Sequence, residues 1–484
     1  MTQLPVDCLN EIFEHLKDDK HTLYSCVLVN RLWCEVSVRI FWRDIRDYST
    51  SNFSTLIACL PNESKKILYD NGIIISALTS KFPTFNYASF CKILSISRVY
   101  YNKIEKLLNS KKNISRQKLR NKTNIVSQEI LKMLMNQVTT FNGLDIFLRL
   151  NINFILYPGA KDCLKNLTKL RCRSDISTEL FYQLSQICHN IRSFTLEYRE
   201  TIPNEIADLI SVQRNLKCFN MKPYPISAVN TLTNVIPSLM SKLPNTLIKF
   251  KLDGRYNRLS LLFITNFSNL QELKLSFELN ECLGDFEKVQ YTLFPQLQIL
   301  KIEKACPKYE FLINFLEING NNLKEIYLSD IGGNYGNNSL NSAITTFCPN
   351  LRKLSTRIKY NELETLKMIF NSCKDLASIK ICCGGIFLSE KEALETFVEY
   401  SQNIYELILY HLFGLVHFEL LPEELESFFK NWIDRKPLKS LSLIIVKRNA
   451  YVNSFDKNHE NIEIINKYIK LGVIKKFKVV SLIL

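Results

Sequence analysis

Asn269-Leu270-Gln271-Glu272-Leu273-Lys274-Leu275 carries a spacing that returns along the chain: apolar, two positions, apolar, one position, apolar. Before it, the spacing falls at Leu167/Leu170/Cys172, Ile191/Phe194/Leu196, Leu216/Phe219/Met221 and Leu247/Phe250/Leu252. After it come Leu297/Leu300/Ile302, Leu323/Ile326/Leu328, Leu351/Leu354/Thr356, Leu376/Ile379/Ile381, Ile404/Leu407/Leu409, Leu438/Leu441/Leu443 and, weakest, Ile474/Phe477/Val479. The alternation that closes each phrase has the period of a strand, in which successive side chains point to opposite faces. Between phrases, the stretches 178–188, 362–373, 390–400 and 423–432 space their apolar residues as helices do.

The steps between first positions are 24, 25, 31, 23, 27, 26, 28, 25, 28, 34 and 36 residues. Most lie at or near the period of leucine-rich repeats, which is roughly 20–29 residues with one strand and one helical segment per repeat. A single repeat cannot bury its own apolar face, so neighbours must stack to do it. No Gly-rich phosphate loop follows any predicted strand, which argues against a doubly wound sheet. The expected fold class is therefore α/β: a leucine-rich-repeat solenoid over 151–484, a right-handed horseshoe with its strands on the concave face. The step of 31 residues before Leu247 marks a place where one repeat could be broken.

The N-terminus reads differently. Leu9, Ile12, Phe13 and Leu16 fall at i, i+3, i+4 and i+7, one face of a helix. Pro5 suits the first helical turn, and Asp7 and Glu11 favour its positive end. Leu23, Cys26 and Val27 predict a second short helix. Asn30 can cap a third, with Leu32, Val36 and Ile40 every four residues. Three short helices bury little on their own. Leu4, Trp33, Phe41 and Trp42 are more apolar bulk than so small a core needs, and surplus apolar surface points to a partner.

The run Leu4-Pro5, Leu9, Ile12-Phe13, Leu16, Leu23, Cys26, Val29-Asn30, Trp33 resembles an F-box over residues 4 to 45. The departures are modest: Asn30 and Arg31 stand where the family varies, and the link from Leu16 to Leu23 is polar. Phe347-Cys348-Pro349-Asn350-Leu351 further resembles the Cys-Pro-x-Leu opening of F-box-linked leucine-rich repeats, fungal members included. The resemblance implies that residues 1–45 bind the adaptor subunit of an SCF (cullin–RING) ubiquitin ligase, with Leu4, Pro5, Leu9, Ile12, Phe13 and Leu16 carrying the contact. Trp33 and Val29 would mainly pack the domain. It implies a non-catalytic substrate adaptor that brings a target protein to the ligase for ubiquitin-dependent degradation. The alternative is a non-catalytic repeat scaffold or nucleic-acid-associated binding protein with an F-box-like head.

Residues 46–150 read as a helical linker or irregular first repeats, with helix candidates at 104–108 and 126–135. They also hold Lys111, Lys112, Arg116, Lys118, Arg120 and Lys122 with no acid between. Without interleaved aromatics this run reads as a solvated loop, not a stacking platform for nucleic acid.

Composition excludes several classes. The 484 residues hold 15 cysteines but no CxxC pair, and the six histidines form no HxxxH pattern, so no zinc site is expected. The first seven residues lack a basic segment followed by an apolar run, and no apolar stretch reaches the roughly 20 residues that span a bilayer. Reduced cysteines and a cytoplasmic or nuclear location follow as expectations, with no membrane partner. The net charge of +15 favours acidic partners as a field effect only. No GxxxxGK[ST], GxGxxG or GxSxG motif occurs, and Gly332-Gly333-Asn334-Tyr335-Gly336 lacks the phosphate-loop lysine. Cys382-Cys383 reads as alternating core and surface positions, and His411 and His417 as solvent or packing residues. No cofactor and no catalytic residue is expected.

The residue between the last two apolar positions of each phrase should face the substrate side. That column reads Arg171, Thr195, Asn220, Lys251, Lys274, Lys301, Tyr327, Ser355, Lys380, Ile408, Ser442, Lys478. Six of twelve are basic and none is acidic, where 62 Lys and Arg in 484 residues would place about 1.5 by chance. The column predicts a basic ridge for an acidic or phosphorylated protein segment, with Arg171, Lys251, Lys274, Lys301, Tyr327 and Lys380 as substrate contacts. Glu197, Glu272, Glu303, Glu325 and Glu406 stand beside it and would dilute its field.

Overall fold

Three helices open the chain: α1 (Val6–His15), α2 (Lys20–Val27) and α3 (Arg31–Phe41). The Asp19 side chain caps α2 by accepting the Thr22 N–H at 3.1 Å, and Asn30 caps α3 by accepting the Trp33 N–H at 2.9 Å. Pro5 stands just before α1 rather than in its first turn, where only its carbonyl is needed and takes the Leu9 N–H at 3.1 Å. Leu9, Phe13, Leu23, Cys26, Val36 and Ile40 form the core, with Leu16, Leu32, Trp33 and Phe41 packed half-buried against it. Arg43, just past α3, grips both oxygens of Glu14 on α1 at 2.8 and 2.5 Å.

The computed structural model describes residues 4–73, 83–100, 103–108, 115–148, 153–199, 202–224, 235–256, 258–330, 338–411, 420–435, 439–448 and 454–481. They divide into two units, residues 1–228 with 238–246 and residues 229–237 with 247–484. The division falls inside the one 31-residue step of the repeat. The predicted contributions of Lys111, Lys112, His417 and the 332–336 glycine run lie outside the described residues.

In the N-terminal unit the strands are β1 (Ile93–Ser95), β2 (Gly143–Ile146), β3 (Lys169–Arg173), β4 (Ser193–Tyr198) and β5 (Cys218–Pro223). Each pairs in parallel with the next, and Leu94, Leu144, Leu170, Phe194 and Phe219 stand in one buried row. The C-terminal unit holds β6 (Lys249–Arg255), β7 (Glu272–Phe277), β8 (Ile299–Lys304), β9 (Glu325–Asp330) and β10 (Lys353–Thr356). It continues with β11 (Ser378–Cys383), β12 (Glu406–His411), β13 (Leu441–Lys447) and β14 (Ile474–Ser481), again each parallel to the next. Helices Leu363–Ser372, Glu390–Tyr400, Pro422–Ile433 and His459–Lys470 return the chain between the last strands. Strand–helix units stacked through parallel strands are a leucine-rich-repeat solenoid. Each fully buried Leu, Ile or Phe of the rows contributes about 1.5–3 kcal/mol of apolar burial.

Polar side chains satisfy the turns between repeats. Asn319, fully buried, accepts the Phe294 N–H at 2.7 Å and donates to the Thr292 carbonyl at 2.9 Å one repeat back. Gln213 does the same for Ile191 N–H at 2.9 Å and the Cys188 carbonyl at 2.6 Å. Unpaired backbone groups at these depths would be costly, which is why amides recur there.

Strands β1 and β2 lie within residues 46–150, beside the helices there. Three expectations are corrected. The stretches 104–108 and 126–135 belong to the helices Lys103–Leu108 and Arg116–Gln137, and Arg116 to Lys122 of the basic run are helical rather than loop. Trp42 is not spare surface: its ring packs 5.0 Å from Tyr48 and 4.5 Å from Tyr87. The expected column slips at β13: Ser442 pairs with Glu406, and it is Ile444 that stands between Ile408 and Lys478.

Candidate interaction surfaces

The first surface is built on α1. Leu4 and Ile12 are 50% and 48% exposed, and Pro5 is exposed with them. Pro5, Cys8 and Ile12 are spaced to share one stripe of the helix. Leu9 and Phe13 fill the adjacent stripe and are each 1% exposed, and Leu16 is half-buried. Of the six residues expected to carry the contact, Leu4, Pro5 and Ile12 are therefore surface, while Leu9 and Phe13 hold that surface from beneath. Trp33 packs edge-on to Phe13 at 5.1 Å, as a domain-packing residue should. Val29 does not: with Tyr24 and Leu28 it is exposed, Leu28 most of all at 72%. These α2–α3 positions add apolar surface that the order of motif residues did not reveal.

The head is tied to the first repeat. The Arg43 carbonyl accepts the Lys92 and Ile93 N–H groups at 2.8 and 3.0 Å, and Asp44 bridges to Ile93. Arg46 holds Asp44 and reaches Asp145 on β2 at 3.7 Å. Burial pushes the Asp145 carboxyl up, and Arg171 and Arg46 pull it back part of the way. Asp145 stands in register with Arg171, so the supposedly acid-free column contains an acid one repeat before its first legible phrase.

The second surface is the half-exposed face of the strands. In the N-terminal unit Lys222 pairs with Glu197 at 2.7 Å, and Arg173 and Arg199 share Asp175 while stacking on Tyr224 at 4.4 and 4.5 Å. In the C-terminal unit Lys251, Lys249 and Lys301 converge on Glu272 at 2.9, 3.5 and 3.7 Å. Lys274 pairs with Glu303 at 2.7 Å and Lys353 with Glu325 at 3.2 Å. Burial alone would raise the Glu272 carboxyl, but the Lys251 hydrogen bond and the three lysine charges outweigh it and hold it below the usual range. Tyr327, under Lys301 at 4.8 Å, is pushed up to about 12 by burial and by Glu325. The ridge of lysines thus exists in register, but along Lys251, Lys274 and Lys301 its charge is matched by interleaved glutamates.

Lys380 differs. Its ammonium lies 4.3 Å over the Tyr410 ring and makes no ion pair among the described residues. Burial holds it below its usual range. Arg357 and Arg448, just past β10 and β13, also make no ion pair among the described residues. Neither was singled out from sequence, because both fall outside the repeating phrase.

Other chemistry is sparse. Cys382 and Cys383 are buried, and burial pushes the Cys383 thiol well up, away from thiolate reactivity. His411 is buried with Nε2 3.1 Å from Glu390. Glu390 also accepts the Ser454 hydroxyl at 2.5 Å and the Phe455 N–H at 3.1 Å, an internal clasp rather than an open site. Among the described residues no group of three or more His, Cys, Asp or Glu could hold a metal, and no helix is long and apolar enough to cross a membrane.

Residues 1–47 match the family model described as F-box-like, and the chain carries an F-box-like domain there. No curated protein matches the chain. Solved structures similar to it include the leucine-rich repeat-containing protein LegL7 from Legionella pneumophila, 13% identical with a TM-score of 0.32, over 70% of this chain and 93% of that one. The Rad7 and Elc1 complex in yeast is 15% identical with a TM-score of 0.37, over 92% and 93%. The Toll–Spatzle complex from Drosophila is 12% identical with a TM-score of 0.29, over 67% and 47%.

Proposed function

We propose that this chain is the substrate-recognition subunit of an SCF-type (cullin–RING) ubiquitin ligase and not itself an enzyme. The F-box-like helices bind the adaptor subunit and through it the cullin. The repeats hold a target protein, which is then marked with ubiquitin for degradation. The observation that supports this reading best is the F-box-like match at 1–47 coinciding with a helix that leaves Leu4, Pro5 and Ile12 exposed above a complete core of its own. An apolar stripe not needed for folding is surface held ready for a partner. The chain's contribution to the reaction is proximity: tethering raises the effective concentration of a target lysine at the charged conjugating enzyme without new chemistry.

The test is co-expression with the SCF adaptor subunit and pull-down of wild type beside Leu4→Ala/Pro5→Ala/Ile12→Ala. These side chains lie outside the core, so the variant should keep its circular dichroism and melting profile. Capture should fall by about 100-fold or more, since apolar anchors at an interface commonly contribute over about 1 kcal/mol each. Equal capture of both proteins, or of neither, overturns the proposal.

A further inference from the structure

The half-exposed strand face of the C-terminal unit is not uniform in charge compensation. Across β6 to β10 each lysine has a carboxylate within 3.7 Å: Glu272, Glu278, Glu303 or Glu325. From β10 onward the pattern stops. Lys380 on β11 projects over Tyr410 on β12, and Tyr410 packs against Cys382 and Phe387. Arg357 continues the row in which β10 and β11 pair, with its guanidinium 5.7 Å from the Phe387 ring. Arg448 follows β13, its N–H donating to the His411 carbonyl at 3.1 Å. Burial pushes the Tyr410 hydroxyl up, and the charges of both arginines reach it and act the other way.

The carboxylates on surrounding elements are already engaged. Glu303 belongs to Lys274 at 2.7 Å, Glu406 accepts the Ser378 hydroxyl at 2.7 Å, and Glu390 is enclosed by His411, Ser454 and Phe455. Asp456 is held by the buried Lys447 at 2.5 Å. Three cations and a tyrosine therefore share one place with no carboxylate of their own among the described residues. Along Lys251, Lys274, Lys301 and Lys353 that role falls to a glutamate.

We propose that Arg357, Lys380 and Arg448, set around Tyr410, bind carboxylates of an Asp/Glu-rich segment of a protein partner, and that Lys251, Lys274 and Lys301 do not. An incoming carboxylate supplies what the array itself supplies at Lys301, three strands earlier: an acceptor for a half-buried ammonium beside an aromatic ring. Arginine on either side adds forked donors suited to carboxylate geometry. The assignment rests on the reading of the repeats as the target-holding part, and narrows the target to one presenting acidic side chains here.

The probe is fluorescein-labelled hexaglutamate, titrated by anisotropy with the full-length protein at low and at physiological salt. Wild type should bind, more weakly as salt rises. Arg357→Gln/Lys380→Met should weaken binding by about tenfold or more, as loss of charge-assisted hydrogen bonds does. Methionine keeps the aliphatic stem over Tyr410, and an unchanged melting profile excludes misfolding. Arg448→Gln, at the surface beyond β13, is the independent second variant and should weaken binding too. Lys251→Gln/Lys274→Gln should stay within about twofold of wild type, because their glutamates already screen them. Absence of hexaglutamate binding, equal losses in both pairs of variants, tighter binding of oligothymidine, or binding only of a phosphoserine peptide would each overturn the assignment. Adaptor capture reports separately on the ligase reading, since none of these substitutions touches residues 1–47.

Discussion

Glu272 shows how one side chain sets the electrostatics of a whole face. It is buried, yet three lysines on the two neighbouring strands reach it, Lys249 and Lys251 from β6 and Lys301 from β8. Its folded-state pKa lies below the ordinary glutamate value despite burial, so the folded state favours the charged form more than the unfolded state does. That stability is present above the unfolded-state pKa and is lost as pH falls through the depressed folded value. Glu272→Gln should therefore lower stability at neutral pH, and the gap between variant and wild type should close on the acid side of the usual glutamate range. Urea unfolding of both proteins at neutral and acid pH measures it, and a gap independent of pH would show that packing rather than charge is at stake. From sequence Glu272 was legible only as a dilutant of the lysine column. A linear chain does not tell which of several nearby lysines a carboxylate reaches, because that depends on parallel register between residues some 25 positions apart.

At the scale of single elements, periodicity was a good guide to what lies inside and a poor guide to what is presented. The i, i+3, i+4, i+7 pattern located α1, but Leu9 and Phe13 turned inward while Ile12 between them turned out. A helical stripe about 100° wide is shared between the core and any partner, and sequence spacing alone does not divide it. The third-helix cap at Asn30 was legible because its signal is local, a side chain bonding to a backbone three residues on, and the helix at 390–400 because its apolar residues keep helical spacing. Gly159 was not legible. It has φ near +80° and opens the short helix Ala160–Leu164 directly against the end of helix Arg116–Gln137. A Cβ there would come within 2.4 Å of the Met135 carbonyl oxygen. Gly159→Ala should cost more than about 1 kcal/mol, from the left-handed backbone and the clash together. Gly472, also at positive φ but with open space where a Cβ would go, should cost less when changed to alanine. Chemical denaturation of the two variants compares them, and equal losses would mean that the backbone conformation, not the close approach, decides.

For the whole molecule, the repeat phrase revealed the architecture because one strand per step buries the same row of residues again and again. It failed where the step failed. Ile93 to Gly143 spans a 22-residue helix, so β1 and β2 leave no regular interval to notice, and the strand at β1 is only three residues long. An array whose rows are built by neighbours should also fail locally when it is cut. Ending the chain at Arg435 would remove β13, β14 and helix His459–Lys470. Phe429 would lose the Tyr468 ring stacked 4.6 Å away, and the Trp432 indole N–H would lose the Lys439 carbonyl at 2.9 Å. Glu390 would lose both Ser454 and Phe455, leaving a buried carboxylate with His411 alone, and β12 would become an open parallel edge. Every contact described for the N-terminal unit, including the Arg43–Glu14 clamp and the α1–α3 core, would remain. The truncated chain should therefore become protease-sensitive in 247–435 and lose hexaglutamate binding. Its capture of the adaptor subunit should stay within about twofold of wild type, as expected for changes that share no partners. Limited proteolysis followed by adaptor pull-down of the fragments reads both parts at once. Loss of capture on truncation would mean that the head depends on repeats it does not touch, and that the array folds as one cooperative block rather than repeat by repeat.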